Sequence, residues 1–264
     1  MRRPRGTRVA ELVYRPVILA ARTLFAGLGL KLDIVGTENI PRAGGAVLAI
    51  NHTSYLDFAL GGLPAHYAGR RLVRFMAKDG IFRHPVAGPL MRGMKHIPVD
   101  RNAGSAAFRD AVAALKAGEI VGVFPEATMS RSFEIKEIKN GAVRMARAAD
   151  VPLVPMIIFG GARLMSYGVK DFSRGKPVCI TVGAPLPVPR GVDPDAVAAQ
   201  LHARLEELLD ATIDRYPDKP AGAWWIPARR GGSAPTLEEA LAIEERVREE
   251  KAARRAAEGK PPDS

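Results

Sequence analysis

Cysteine is all but missing from this chain. Cys179 stands alone within the apolar stretch Val178-Cys-Ile-Thr-Val182, so no disulfide can form inside the chain and a reducing compartment is compatible. Histidine is sparse as well: His52, His66, His84, His96 and His202 lack both the His-x3-His spacing and the Cys partners of a metal site, and no metal is expected. There is neither a Gly-x-Ser-x-Gly elbow nor a Walker loop, which disfavours a serine hydrolase and an ATPase. Gly160-Gly161 is too little to suggest a dinucleotide site. Aromatic residues make up only 6% of the chain and do not interleave with its basic ones, which disfavours nucleic acid as a partner. The chain also lacks an uninterrupted run of the roughly 20 apolar residues that a bilayer crossing needs, because Glu11, Arg15 and Arg22 break the N-terminal one.

What the chain does have is positive charge. A formal charge of +11 and a pI near 10.1 favour anionic partners, such as nucleic acid, an acidic lipid surface or a phosphate-bearing ligand. Arg2, Arg3, Arg5, Arg8, Arg15, Arg22 and Lys31 crowd residues 1–31, where Leu12, Val13, Val17, Leu19, Ala20, Leu24 and Phe25 recur at helical spacing. That pattern reads as a retained N-terminal amphipathic helix with a basic face, lying in a membrane interface. A plain core helix covering a sheet would explain the same periodicity.

Strands are expected over 32–36, 46–50, 72–77, 95–99, 120–124, 153–159 and 178–183. Helices are expected over 9–29, 55–63, 85–92, 105–117, 141–149 and 195–216. The alternation predicts an α/β fold with a mixed central sheet of about seven strands covered by helices, residues 32–216 forming the main domain. Residues 217–264 change in character, with a Pro/Gly/Ala-rich linker carrying Trp224 and Trp225. A capping box at Thr236-x-x-Glu239 then opens a charged helix, which reads as a solvated appendage before a disordered tail.

The most informative stretch is Asn51-His52-Thr53-Ser54-Tyr55-Leu56-Asp57-Phe58. Residues five apart lie about 140° from each other around a helix, so His52 and Asp57 can meet only if the chain bends. The apolar strand before them and the Ser54-x-x-Asp57 capping box after them put His52 on a strand-to-helix turn. From there it can fold back toward Asp57, a carboxylate able to orient a general base. The bland alternative is an ordinary loop histidine beside a helix-capping aspartate.

A second apolar strand runs into the polar turn Phe124-Pro125-Glu126-Ala127-Thr128-Met129-Ser130-Arg131-Ser132, the place where open α/β sheets build sites. Between these two blocks lies Lys95-His96-Ile97-Pro98-Val99-Asp100-Arg101, and beyond them Val151-Pro152-Leu153-Val154-Pro155. The ordered set, over about residues 36–187, resembles the glycerolipid acyltransferase family, specifically the bacterial 1-acylglycerol-3-phosphate acyltransferases.

The resemblance implies catalytic roles for His52 and Asp57 and substrate-binding roles for Arg101, Glu126, Thr128 and Arg131. It implies acyl transfer from a thioester of coenzyme A or acyl carrier protein, with no bound cofactor, to the hydroxyl of a lysophospholipid at the cytoplasmic face of a membrane. Two positions depart from the family's Phe-Pro-Glu-Gly-Thr-Arg-Ser signature. Alanine at position 127 implies a backbone that needs no positive φ there. Met129 stands where the family carries a phosphate-holding arginine, which opens the acceptor to other lysophospholipids or glycolipids and leaves Arg131, Arg101, Lys136 or Lys139 as replacement cations. A non-catalytic basic binding protein is the remaining alternative.

Overall fold

The computed structural model describes residues 5–100 and 104–258; Arg2, Arg3, Arg101 and the tail expected after residue 258 lie outside them. In chain order its helices and strands are α1 (Arg5–Gly27), β1 (Lys31–Val35), β2 (Ala46–Ile50), α2 (Asp57–Gly61), α3 (Leu63–Gly69), β3 (Val73–Lys78), α4 (Asp79–Arg83), α5 (Ala87–Gly93) and β4 (Ile97–Val99). There follow α6 (Gly104–Lys116), β5 (Ile120–Val123), α7 (Gly141–Ala149), β6 (Leu153–Phe159), β7 (Met165–Ser166), β8 (Val169–Lys170), β9 (Pro177–Val182), α8 (Pro194–Arg215) and α9 (Leu237–Ala257).

Seven strands form one mixed sheet in the order β1-β9-β6-β2-β5-β3-β4, parallel throughout except where β6 meets β9. β7 and β8 form a separate small hairpin. β2 lies between β5 and β6, and all five of its residues are buried. A strand covered on both faces must be apolar at every position. Val47 and Ala49 join the layer under α6, α7 and α8, whereas Ala46, Leu48 and Ile50 join the opposite layer with Phe25 of α1 and Leu60 of α2. Val47, Leu48 and Ile50 each contribute roughly 1.5–3 kcal/mol through their burial.

The helix expected over 55–63 is two short helices, α2 and α3. Pro64, at the start of α3, has no N–H to continue the α2 hydrogen-bond ladder, so the chain begins a new helix there. The Ser54 capping box also differs from expectation: Leu56 is the N-cap of α2, and the Ser54 hydroxyl accepts from Leu56 N–H instead of capping Asp57. At the C-terminus, the Thr236–Glu239 capping box forms with both of its hydrogen bonds. Yet α9 is more than a solvated appendage. Ala240 is buried, the Glu244 carboxylate reaches Lys136, and Ala223 and Ile226 of the preceding segment join the α6–α8 layer.

Candidate active site

The carboxyl ends of β2, β5 and β6 meet at one edge of the sheet, and three loops leave it there. After β2, Asn51 continues the pairing with its side chain: its amide donates to Ile158 O at 3.1 Å and accepts from Ile158 N–H at 2.7 Å. That fixes where the chain must turn. His52 follows, with its N–H on Glu126 Oε1 (2.9 Å) and its carbonyl accepting from Ser130 N–H (2.7 Å), so the loop after β5 holds it from both sides.

The chain then folds back. His52 Nδ1 lies 2.9 Å from Asp57 Oδ2, and the same oxygen accepts the N–H groups of Thr53 and Ser54 at 2.8 Å each. Asp57 is wholly buried, while the His52 side chain remains 14% exposed. A carboxylate so held fixes the ring's orientation and the tautomer bearing hydrogen on Nδ1, leaving Nε2 as the basic nitrogen. The imidazole stacks on Phe124 with centroids 4.1 Å apart, and Phe58 meets it edge-on at 6.1 Å.

Sequence reasoning set Gly160-Gly161 aside, and here it supports this loop. A Cβ on Gly160, whose φ is +98°, would lie 2.5 Å from Pro177 O. One on Gly161 would lie 3.0 Å from Leu60 Cδ1 and 3.3 Å from Ser54 Cβ, so a side chain there would crowd the turn that carries the dyad. The Ser54 hydroxyl lies within hydrogen-bond distance of the carbonyls of Gly161 and Met165, pinning the loop to the segment after β6.

Glu126 is buried, and burial pushes its carboxyl up to about 8 against the pull of two backbone N–H bonds, from His52 and Lys136. Its neighbour overturns an expectation. Ala127 has φ +65°, so the backbone does need the left-handed conformation that glycine would adopt without strain. The turn forces it, because Ala127 N–H bonds Phe124 O and Thr128 N–H bonds Glu126 O.

Met129 is buried. Arg131 lays its guanidinium 3.8 Å over the Tyr167 ring, and its Nε is buried without a hydrogen-bond partner. Thr128 meets two residues that the sequence did not join to it: its hydroxyl accepts from Lys136 Nζ and donates to Glu244 Oε2 at 3.2 Å. Lys139 is exposed, and Arg101 falls outside the described residues.

Beside Phe58 an apolar cavity of about 150 Å³ opens between α1 and the sheet, lined by Tyr14, Val17, Ala21, Leu63, Met91, Met94 and His96 among others. His96 is buried there with Nδ1 accepting from Phe75 N–H, and burial lowers its pKa to about 4, so it lines the cavity as a neutral ring. Among the described residues no group of three or more His, Cys, Asp or Glu side chains could hold a metal ion.

The chain has known relatives. A profile of the acyltransferase family matches residues 31–159, spanning the His52 loop, the Glu126 turn and β6. A 1-acyl-sn-glycerol-3-phosphate acyltransferase of Bacillus subtilis is 33% identical over 159 residues, which cover 59% of this chain and 73% of that one. The chain belongs to the acyltransferase family.

A chloroplast 1-acyl-sn-glycerol-3-phosphate acyltransferase of Arabidopsis thaliana is 28% identical over 185 residues; they cover 68% of this acyltransferase and about half (49%) of that longer chain. The fold is also that of the 1-acyl-sn-glycerophosphate acyltransferase of Thermotoga maritima, with a TM-score of 0.67 at 21% identity, covering 83% of this chain and 86% of that one. No helix among the described residues of this acyltransferase is long and apolar enough to cross a membrane.

Proposed function

We propose that this acyltransferase moves a fatty acyl group from an acyl thioester to the sn-2 hydroxyl of 1-acylglycerol-3-phosphate, giving phosphatidic acid. The reading is carried by the His52–Asp57 pair, 2.9 Å apart on a turn that Glu126 and Ser130 hold in place. The names of its relatives supply the acceptor.

His52 Nε2 takes the hydroxyl proton as the oxygen attacks the thioester carbonyl. Asp57 balances the imidazolium that forms. When the tetrahedral intermediate collapses, the C–S bond breaks and the thiolate leaves with the proton that His52 returns. A thioester is already activated, so no covalent enzyme intermediate is needed. The cavity beside Phe58 suits an acyl chain, its wall being mostly apolar, with His96 neutral and His66 and Arg71 also bordering it. Either coenzyme A or acyl carrier protein fits a chain of charge +11 as the donor's carrier, and the same charge favours the anionic cytoplasmic face of a membrane.

One observation favours a second reading with another lysophospholipid or glycolipid acceptor: Met129 is buried where a phosphate-holding arginine was expected, and Arg131 is stacked on Tyr167. The test is acyl transfer by purified protein in detergent from a long-chain acyl-CoA, and from acyl carrier protein, to 1-acylglycerol-3-phosphate, monoacylglycerol and lysophosphatidylinositol. Product with the phosphate monoester is expected to fall about 10²- to 10⁴-fold in His52→Ala without loss of folding. Undiminished turnover in that variant would remove His52 as the base, and product with another acceptor alone would establish the second reading.

A further inference from the structure

The turn after β5 carries a cluster that the transfer chemistry leaves unused. Lys136 Nζ is nearly buried, its side chain only 6% exposed, and it donates to the Thr128 hydroxyl and to both Glu244 carboxylate oxygens at 3.0 Å. Glu244 arrives from α9, 108 residues away, and also accepts from Thr128. Its charge falls on Tyr167, the ring that lies under the Arg131 guanidinium and packs edge-on to Tyr55 of the His52 loop. Lys136, Thr128, Glu244, Arg131 and Tyr167 thus form one patch, joined to the catalytic loop through Tyr55 and to His52 through Glu126, which bonds the backbone N–H groups of both His52 and Lys136.

Two features of this patch point to an anion larger in charge than a carboxylate. Glu244 pairs with Lys136 but not with Arg131, the second cation beside Tyr167, and the Arg131 Nε is buried with no acceptor, a costly state for a charged donor. A phosphate monoester carries a charge of about −1.5 to −2 at neutral pH and offers three acceptor oxygens, enough for an ammonium, a hydroxyl and a guanidinium together. Glu244 meets only the first two. It is also the most easily displaced member, being 22% exposed and attached to a helix whose other side chains are mostly exposed.

We propose that Lys136, Thr128 and Arg131 form the cradle for the acceptor's phosphate, and that Glu244 occupies this cradle in the resting enzyme as a built-in substitute that the acceptor displaces. Lys136 supplies the head-group cation that Met129 does not. α9 then sets the acceptor affinity, since the apparent affinity falls by the fraction of molecules in which the cradle is open. The inference rests on a phosphate-bearing acceptor, as proposed above.

The test is steady-state kinetics of the full chain with 1-acylglycerol-3-phosphate as the varied substrate, for wild type, Glu244→Gln, Lys136→Met and the double variant. Melting curves check that each is folded. Glu244→Gln is expected to lower the acceptor KM about tenfold with little change in kcat or in the thioester KM, and Lys136→Met to raise the acceptor KM by at least that factor. The double variant, which removes both charges together, should keep the raised KM while avoiding an unpaired carboxylate. Equilibrium binding of 1-acylglycerol-3-phosphate to the His52→Ala protein, with and without Glu244→Gln, should show the same tenfold tightening independently of turnover.

A simple structural clasp predicts otherwise: Glu244→Gln would lower the melting temperature and leave the acceptor KM and binding where they were. That result, or a raised KM, would overturn the proposal while leaving the phosphatidate-forming activity intact. Wild-type protein that acylates only phosphate-free acceptors would overturn the activity and this proposal together.

Discussion

Ala127 carries strain that one substitution can release. A Cβ in the left-handed region costs about 1–2 kcal/mol, and the hydrogen bonds that close the Phe124–Thr128 turn hold Ala127 there at φ +65°. Glycine would remove that cost and give back part of it as extra freedom of the unfolded chain. Ala127→Gly is therefore expected to stabilise the protein by about 1 kcal/mol, a rise of about 2–4 °C in Tm by calorimetry. A melting temperature at or below wild type would mean that the turn relaxes some other way. The sequence expectation failed here because it took the residue type as a report on φ, whereas two backbone hydrogen bonds outweigh a penalty of this size. The His52–Asp57 pair was legible for the opposite reason, since its geometry is set within six residues by a strand end and a turn. Lys136 and Glu244 belong to no local pattern, and only the docking of α9 brings them together.

Elements were legible where length and burial made a pattern. β2, β5, β6 and β9 are apolar at almost every position and bounded by polar or Gly/Pro breaks, so both their existence and their ends could be read. β7 and β8, two residues each, are too short to carry a period, and α4 is a five-residue helix with a single buried side chain. α1 packs on the core, as one of its two readings has it, and its membrane role is for experiment to decide. It buries Tyr14 and Phe25 against the sheet and packs Val13 over Gly93 of α5, yet exposes Leu19 and Leu24 beside the exposed Arg15 and Arg22. The neighbouring α5 exposes Leu90, and Val86 is bare just before it. Apolar side chains flanked by arginines suit insertion at an anionic lipid surface. Replacing Leu19 and Leu24 together by serine should weaken binding to phosphatidylglycerol-containing vesicles at least about tenfold in sedimentation, since neither side chain supports the core and even partial burial of the two in lipid contributes more than the roughly 1.4 kcal/mol that tenfold requires. Unchanged sedimentation would assign α1 to the core alone.

Across the whole molecule, two buried groups, His96 and Glu126, give stability an unusual pH profile. His96, in the cavity layer, has its pKa lowered from 6.5 to about 4 by burial and, secondarily, by Arg74. As pH falls from 6.5 toward 4 the unfolded chain takes up a proton that the folded one refuses, so stability is lost on acidification. Glu126, under the catalytic turn, has its pKa raised from 4.5 to about 8, with burial the largest cause. Between those values the folded protein keeps a proton that the unfolded chain has released, so its contribution is full below 4.5 and is lost as pH rises through 8. Each contributes a slope of about 1.4 kcal/mol per pH unit, with opposite signs, so the two cancel between about 4.5 and 6.5. Above 6.5 only Glu126 remains, and stability should fall by about 2 kcal/mol by pH 8. Denaturant titrations of wild type and Glu126→Gln across pH 4.5–8 isolate this contribution as the difference between the two curves. The difference should change by about 2 kcal/mol from pH 6.5 to 8 in favour of the variant; parallel curves would mean that Glu126 is already ionised at neutral pH, its two amide hydrogen bonds and Lys136 having overcome its burial. His96→Asn tests the other side, because an amide oxygen can still accept from Phe75 N–H but cannot be protonated in this range. Relative to wild type, that variant should gain stability steadily as pH is lowered from 6.5 to 4.5, leaving the slope of Glu126 unopposed.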